Sequence, residues 1–250
     1  MKYAKIEISG SAVWGIIEND MVNLLDKSVF DDGKPTDKLL KLSECRLLAP
    51  CEPSKIVAIG KNYSDHAKEF GGEEPEKPII FIKPSTCLND PDGFVYYPEI
   101  SERVDYEGEL AFVIKKTAKN VKAADAMDYI LGFTCLNDVT ARDIQRFDIQ
   151  WSRGKGFDGF APVGPILTDE VDCSKLVVET YLNGELKQKS NTSLLMFDIP
   201  YLVEFITQCM TLNPGDVVTT GTPAGVGPMK KGDKVEVKIS GIGTLTNYIR

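Results

Sequence analysis

The apolar positions fall mostly in short, β-branched runs. Lys55-Ile56-Val57-Ala58-Ile59-Gly60 reads as a buried strand, and the same pattern marks Ile79–Lys83, Glu109–Ile114, Ile130–Cys135, Val177–Leu182, Val217–Thr220 and Lys234–Ile239. Between Tyr3 and Leu25 the pattern predicts short strands around a tight turn. Val13-Trp14-Gly15-Ile16-Ile17 is strand-like and Glu18-Asn19-Asp20 has turn chemistry. Asp31-Asp32-Gly33-Lys34-Pro35 reads as a loop and Lys38 to Ser43 as a short helix. A second short helix is expected from Ser64 to Phe70, with Ser64 as N-cap and Gly71-Gly72 as its stop, and a clear one from Ile199 to Gln208. Strands outnumber helices and do not alternate with them as in a parallel α/β fold, so the class is α+β, strand-rich. Leu47-Leu48-Ala49-Pro50 leading into Pro53 suggests a small N-terminal unit over 1–50 and a main domain over 51–250.

Composition narrows the possibilities. With 42% hydrophobic and 26% charged residues the chain is ordinary globular protein, and 250 residues suffice for a core without disulfide support. A net charge of -8 and no dense Lys/Arg run argue against a nucleic-acid partner. The six cysteines are scattered, none in a C-x-x-C pair, and His66 is the only histidine. That argues against a clustered zinc site and fits a reducing compartment. The first twenty residues lack a signal-peptide plan and no stretch has the length of a membrane span. The expectation is a soluble cytoplasmic protein without a membrane partner.

Four features carry candidate chemistry. Glu107-Gly108-Glu109 opens the apolar run Leu110 to Ile114, and residues two apart on a strand share a face, so both carboxylates converge. Asp138 ends another apolar strand and precedes Thr140 to Gln145, a strand end running into a helix start. Three hard oxygen ligands suit Mg²⁺ or Mn²⁺ rather than zinc. Spacing alone leaves this open, because a solvated E-x-E at a strand start is commoner than a metal site, and the pairing with Asp138 needs a fold to be seen. His66 lies three residues before Glu69, so on a helix the carboxylate can orient the imidazole and raise its basicity. The same spacing also describes an ordinary surface pair. Gly154-Lys155-Gly156 sets a lysine between two glycines, where it either faces an anion or ends an exposed loop. Thr219 to Gly227 is glycine-rich but matches neither phosphate-loop order, which argues against a nucleotide. Its amides and the Thr222 hydroxyl could still bind a carboxylate.

Taken in order, five segments resemble the fumarylacetoacetate hydrolase family. They are Gly60-Lys61-Asn62-Tyr63 with His66 and Glu69, Tyr106-Glu107-Gly108-Glu109-Leu110, Asn137-Asp138-Val139-Thr140-Ala141-Arg142-Asp143, Lys155-Gly156-Phe157-Asp158, and Thr220-Gly221-Thr222-Pro223. The resemblance runs from about Ile56 to the end, and the first fifty residues look like the small N-terminal β unit that many members carry. It implies a mixed β-roll around a metal site, with Glu107, Glu109 and Asp138 as ligands of Mg²⁺ or Mn²⁺. It implies that Lys155 stands near a developing enolate, that Arg142, Gln145 and Thr222 hold substrate oxygens, and that His66 and Glu69 form a water-activating dyad on a lid whose apolar contacts come from Tyr63 and Phe70. A homodimer is also implied.

The chain is most similar to the smaller acylpyruvate hydrolase and oxaloacetate decarboxylase members. The expected reaction is therefore cleavage of a C–C bond in a short 2-oxo acid, whose carboxylate and 2-oxygen chelate the ion so that a pyruvate enolate is held there. The alternative within enzymes is an isomerase or keto–enol tautomerase of dicarboxylic 2-oxo acids, since one such site supports several overall reactions. An inactive metal-binding scaffold is the alternative of another class, and retention of ligands, dyad and Lys155 together argues against it. Three carboxylates on one dication leave one net negative charge, so an anionic substrate needs Lys155 and Arg142. Trp151, Phe157 and Phe160 are candidates for the pocket wall.

Overall fold

The computed structural model describes residues 1–69 and 74–250. Phe70, Gly71 and Gly72, named above for a lid contact and a helix stop, lie outside the described residues. The chain begins with strands β1 (Lys2–Ile8), β2 (Ser11–Glu18), β3 (Met21–Leu25), β4 (Pro35–Lys41) and β5 (Arg46–Leu48). Asn19 and Asp20, both at positive φ, turn β2 into β3, as a tight two-residue hairpin requires. Strand β6 (Lys55–Gly60) leads to helix α1 (Ser64–Glu69) and strand β7 (Ile79–Pro84). Short strands β8 (Leu88–Asn89), β9 (Phe94–Val95) and β10 (Val104–Tyr106) precede the long pair β11 (Gly108–Ile114) and β12 (Ile130–Asn137). Then come β13 (Thr140–Ala141), helices α2 (Arg142–Phe147) and α3 (Ser152–Lys155), and strands β14 (Ala161–Thr168), β15 (Val177–Leu182) and β16 (Glu185–Asn191). Helix α4 (Ile199–Cys209) and strands β17 (Val217–Thr219), β18 (Gly227–Pro228), β19 (Lys234–Ile239) and β20 (Gly243–Ile249) complete the chain.

Among the described residues the strands form three sheets. The largest runs β4-β3-β2-β1-β14-β12-β11-β17-β6-β7, with β5 on β1 and β8 on β14; a second orders β16-β15-β19-β20-β9, and a third β13-β10-β18. Most pairs are antiparallel, while β17 with β6, β14 with β8 and β20 with β9 are parallel. The strand-rich α+β class holds.

Every residue of β11 and β12 is buried. Their alternation sorts side chains onto two faces. Leu110, Phe112 and Ile114 join Val178, Val237 and Ile239 of the second sheet and Leu202, Val203 and Ile206 of α4 in one apolar cluster. Ala111 and Val113 face the opposite cluster, with Tyr3, Trp14 and Leu25 from the N-terminal strands and Leu136, Val163, Leu167 and Val217. The first strands thus extend the main sheet and fill part of its core.

Lys38 to Ser43 is a correction. Residues 35–41 form β4, paired with β3 through Leu40 opposite Val22 and Leu39 opposite Asn23, and only Leu42–Glu44 makes a 3₁₀ turn. Pairing with a neighbour's open edge outweighs a weak helical preference. Ser64 lies inside the first turn of α1, and its hydroxyl donates to Glu74 instead of capping the backbone.

Candidate active site

Glu107, the residue just ahead of β11, and Glu109 within it lie two apart, in step with Ala111 and Val113, at the end where that row meets a cavity. Gly108 pairs with Asn137 across the ladder, and the Asp138 amide donates to the Glu107 carbonyl at 2.8 Å. This register places Asp138 beside the two glutamates. A carboxylate oxygen from each of the three lies within 4.8 Å of the others, and all three side chains are buried. Gly108 is required here, because a Cβ would sit 2.0 Å from the Thr180 hydroxyl of the second sheet.

Cations crowd two of the three acids. The Lys155 ammonium donates to Glu107 at 2.7 Å and to Asp138 at 2.5 Å. Arg142 donates to Glu107, to Asp105 at 2.8 Å and to Gln145 Oε1 at 2.6 Å. Lys83, with no exposed surface, donates to the other Asp138 oxygen at 2.7 Å and to the Val139 carbonyl at 3.2 Å. Burial alone would raise the Glu107 pKa, but the Lys155 and Arg142 charges reverse this and hold it well below the usual range. Burial alone would lower the Lys155 pKa, but Asp138 and Glu107 overcome it and the net shift is upward. Glu109 differs. Its described partners are the Thr219 hydroxyl and the Gly221 amide at 2.8 Å. Burial, then the Asp138 and Glu107 charges, push its pKa far up.

That contrast tests whether the residues fit a divalent cation. Three hard oxygen donors converge, and the acid least supplied with positive charge faces the other two. The set fits, and Glu107, Glu109 and Asp138 can together hold a divalent ion.

The dyad closes another side. His66 Nδ1 lies 3.2 Å from Glu69 Oε2 on α1. The Gly225 amide donates to both Glu69 oxygens, at 3.2 and 3.3 Å, tying the helix to the glycine-rich loop. Gly225 adopts φ +100, and a Cβ there would meet the Lys187 carbonyl at 2.3 Å, so only glycine serves. Burial lowers the His66 pKa more than Glu107 and Glu69 raise it. The imidazole is therefore held neutral near pH 7, the form in which it accepts a proton. Asn62 anchors the base of this segment, donating to the carbonyls of Thr220 at 2.9 Å and Phe197 at 3.0 Å.

A cavity of about 310 Å³ joins these groups. Eight of the nine residues singled out above line it: His66, Glu107, Glu109, Asp138, Arg142, Gln145, Lys155 and Thr222. Glu69 reaches it through His66. The pocket wall is partly corrected. Trp151 lines the cavity together with Phe81, whereas Phe160 is fully buried and Phe157 packs against it at 5.1 Å. Arg142 lines the cavity while its guanidinium also donates to Asp105, Glu107 and Gln145.

Lys83, Asp105 and Gln188 were not anticipated from sequence. Lys83 carried a faint signal, since it shares a strand face with Phe81 two residues earlier. Gln188 accepts from the Gly108 amide at 3.0 Å and donates to Thr222 Oγ1 at 2.8 Å, locking strand to loop from a polar segment. Removing one partner of a buried ion pair is costly, so Lys83→Met should destabilise the metal-free protein by roughly 3 kcal/mol. Chemical denaturation of both forms in EDTA measures this, and an unchanged midpoint would make Lys83 a bystander.

Buried ionisable groups in this number are expensive to fold, and side chains with displaced pKa values of this kind gather at functional sites. Residues 55–250 match the family described as fumarylacetoacetate (FAA) hydrolase C-terminal, and residues 1–50 match one described as Rv2993c-like, N-terminal. The chain belongs to the fumarylacetoacetate hydrolase family. A protein of Archaeoglobus fulgidus is 55% identical over 206 residues, which span 82% of this chain and 82% of its own. The oxaloacetate tautomerase YisK of Bacillus subtilis is 43% identical over 262 residues, spanning 97% of this chain and 87% of its own. The crystal structure of a 5-carboxymethyl-2-hydroxymuconate delta-isomerase from Mycobacterium smegmatis superimposes with a TM-score of 0.93 at 42% identity, covering 100% of this chain and 99% of that one. Among the described residues no helix is long and apolar enough to cross a membrane.

Proposed function

We propose that the chain moves a proton between carbon and oxygen in a short 2-oxo acid, interconverting keto and enol forms of an oxaloacetate-type dicarboxylate. The reading includes Mg²⁺ or Mn²⁺ held by Glu107, Glu109 and Asp138, and a homodimer. The observation that carries it is a buried His66 paired with Glu69 in the same cavity as the three acids. Tautomerisation needs a base within reach of the carbon beside the keto group and positive charge near its oxygen. The similarity to the tautomerase and the isomerase points the same way.

A bound divalent ion would supply Lewis-acid withdrawal from the 2-oxo group. His66 takes the proton from C3, Glu69 stabilises the imidazolium that forms, and the imidazolium returns that proton to the 2-oxygen to give the enol and restore neutral His66. Lys155 places its charge toward the enolate oxygen, and Gln145 and Thr222 orient the substrate oxygens. Trp151 and Phe81 limit water on the apolar side. A second reading rests on the same dyad. A base that can take a proton from carbon can take one from water, so acylpyruvate hydrolysis is the companion activity to assay, with oxaloacetate decarboxylation beside it.

The decisive assay follows enol absorbance after adding oxaloacetate to protein treated with EDTA. Little catalysis over buffer is expected until Mg²⁺ or Mn²⁺ is restored. Full rate without a divalent ion would remove the metal from the reading, and no tautomerisation with either ion would remove the reading itself.

A further inference from the structure

We infer that Lys61 and Arg146 form a subsite for a second carboxylate of the substrate, remote from the three acids. This deepens, and rests on, the 2-oxo acid reading. The cations that touch the three acids are already paired. Arg142 serves Asp105 and Glu107, Lys155 serves Glu107 and Asp138, and Lys83 serves Asp138. Asp148, a further acid of the cavity wall, is held by Arg153 through two 2.7 Å bonds. Lys61 and Arg146 line the same cavity, and among the described residues neither makes an ion pair or side-chain hydrogen bond.

Lys61 carries a second sign. It is a non-glycine residue at φ +54, directly after β6, in a backbone region that side chains usually avoid. Its carbonyl-side neighbour Asn62 is fully buried and bonded to the backbone of two loops, at Thr220 and at Met196-Phe197, which fixes the segment. The strained position is thus held by its surroundings, and it carries a lysine to the cavity. Arg146 comes from α2, one residue after Gln145, and also reaches the neighbouring groove beside Glu69. Two unspent cations lining the cavity that also holds the three acids suit an acid with a carboxylate at each end.

Malate and lactate test this, since they share the 2-hydroxy acid head and differ in the distal carboxylate. Oxalate, with no distal arm, is the control. Calorimetric titrations with Mg²⁺ present should show wild-type protein binding malate tighter than lactate by roughly 10–100-fold, the worth of one or two charged hydrogen bonds. The Lys61→Met/Arg146→Met double variant should lose that preference while keeping its oxalate and lactate affinities, and Lys61→Arg/Arg146→Lys should regain it. Equal binding of malate and lactate by wild type, or a preference that survives in the double variant, would overturn the subsite. Loss of oxalate binding in a folded double variant would also overturn it, by showing a general effect on the cavity. Failure of wild type to bind oxalate would sink the 2-oxo acid reading instead.

Discussion

Replacing Lys155 with methionine is expected to cut turnover by roughly 10²–10³-fold, the usual cost of removing one preorganised group aimed at a developing anion. The ammonium is buried and sits between Glu107 and Asp138, where an enolate oxygen would need positive charge. Methionine keeps much of the stem's volume and its packing against Phe81, whose ring centroid lies 5.1 Å from the ammonium. The loss should therefore appear in kcat more than in the fold. The same substitution removes a rival cation from the acids. Melting in EDTA should drop, because three carboxylates are left with less compensation, and added Mn²⁺ should recover more stability in the variant than in wild type. Circular dichroism, thermal melts with and without Mn²⁺, and steady-state rates check this together. Wild-type turnover in a folded Lys155→Met protein would reject the assignment.

His66→Ala should lower tautomerisation by roughly 10²–10⁴-fold, the range for a positioned general base. Hydrolysis of an acylpyruvate should fall alongside, since activating water needs the same base. Decarboxylation of oxaloacetate should fall less, because loss of CO₂ requires no proton acceptor. Glu69→Gln should follow the pattern more mildly, since Glu69 orients the ring. The pH profile supplies a readout that a packing defect would not mimic. The base must be neutral, and burial sets the His66 pKa below its ordinary 6.5. Activity should thus be flat near neutrality and fall as pH drops through a value under 6.5, and the alanine variant should lose that limb. Equal losses in all three reactions would indicate a binding or lid role, and no loss would leave His66 a passive neighbour.

The sequence was most legible where a side chain's role follows from local repetition. Strand alternation put Glu107 and Glu109 on one face, and Val177–Leu182 and Lys234–Ile239 appear with the expected ends. What escaped was mostly non-local. β14 contains Pro162, Gly164 and Pro165, which break any strand pattern, and β16 reads Glu-Leu-Lys-Gln-Lys-Ser-Asn without an apolar face. β14 is a strand because β12 and β1, far along the chain, supply its hydrogen bonds, whereas β16 is the second arm of a hairpin folded onto β15 through the Asn183-Gly184 turn. Lys83 stayed hidden for a related reason. A lysine before a proline looks like a strand end in solvent until Asp138, fifty-five positions later, is brought against it. Burial of a charge is a property of the assembled sheet, and no window along the sequence contains it.

The seam between β1 and β14 bears on how this chain can be cut. Lys2 lies opposite Thr168 and Tyr3 opposite Leu167, and Tyr3, Trp14 and Leu25 cover Val163 and Leu167. A fragment trimmed to residues 55–250 would keep every acid of the cavity, yet it would bare one border of β14 and an oily strip beside it. Unpaired borders of that kind recruit other chains. Self-association, with its centre of chemistry still intact, is the failure such a fragment invites.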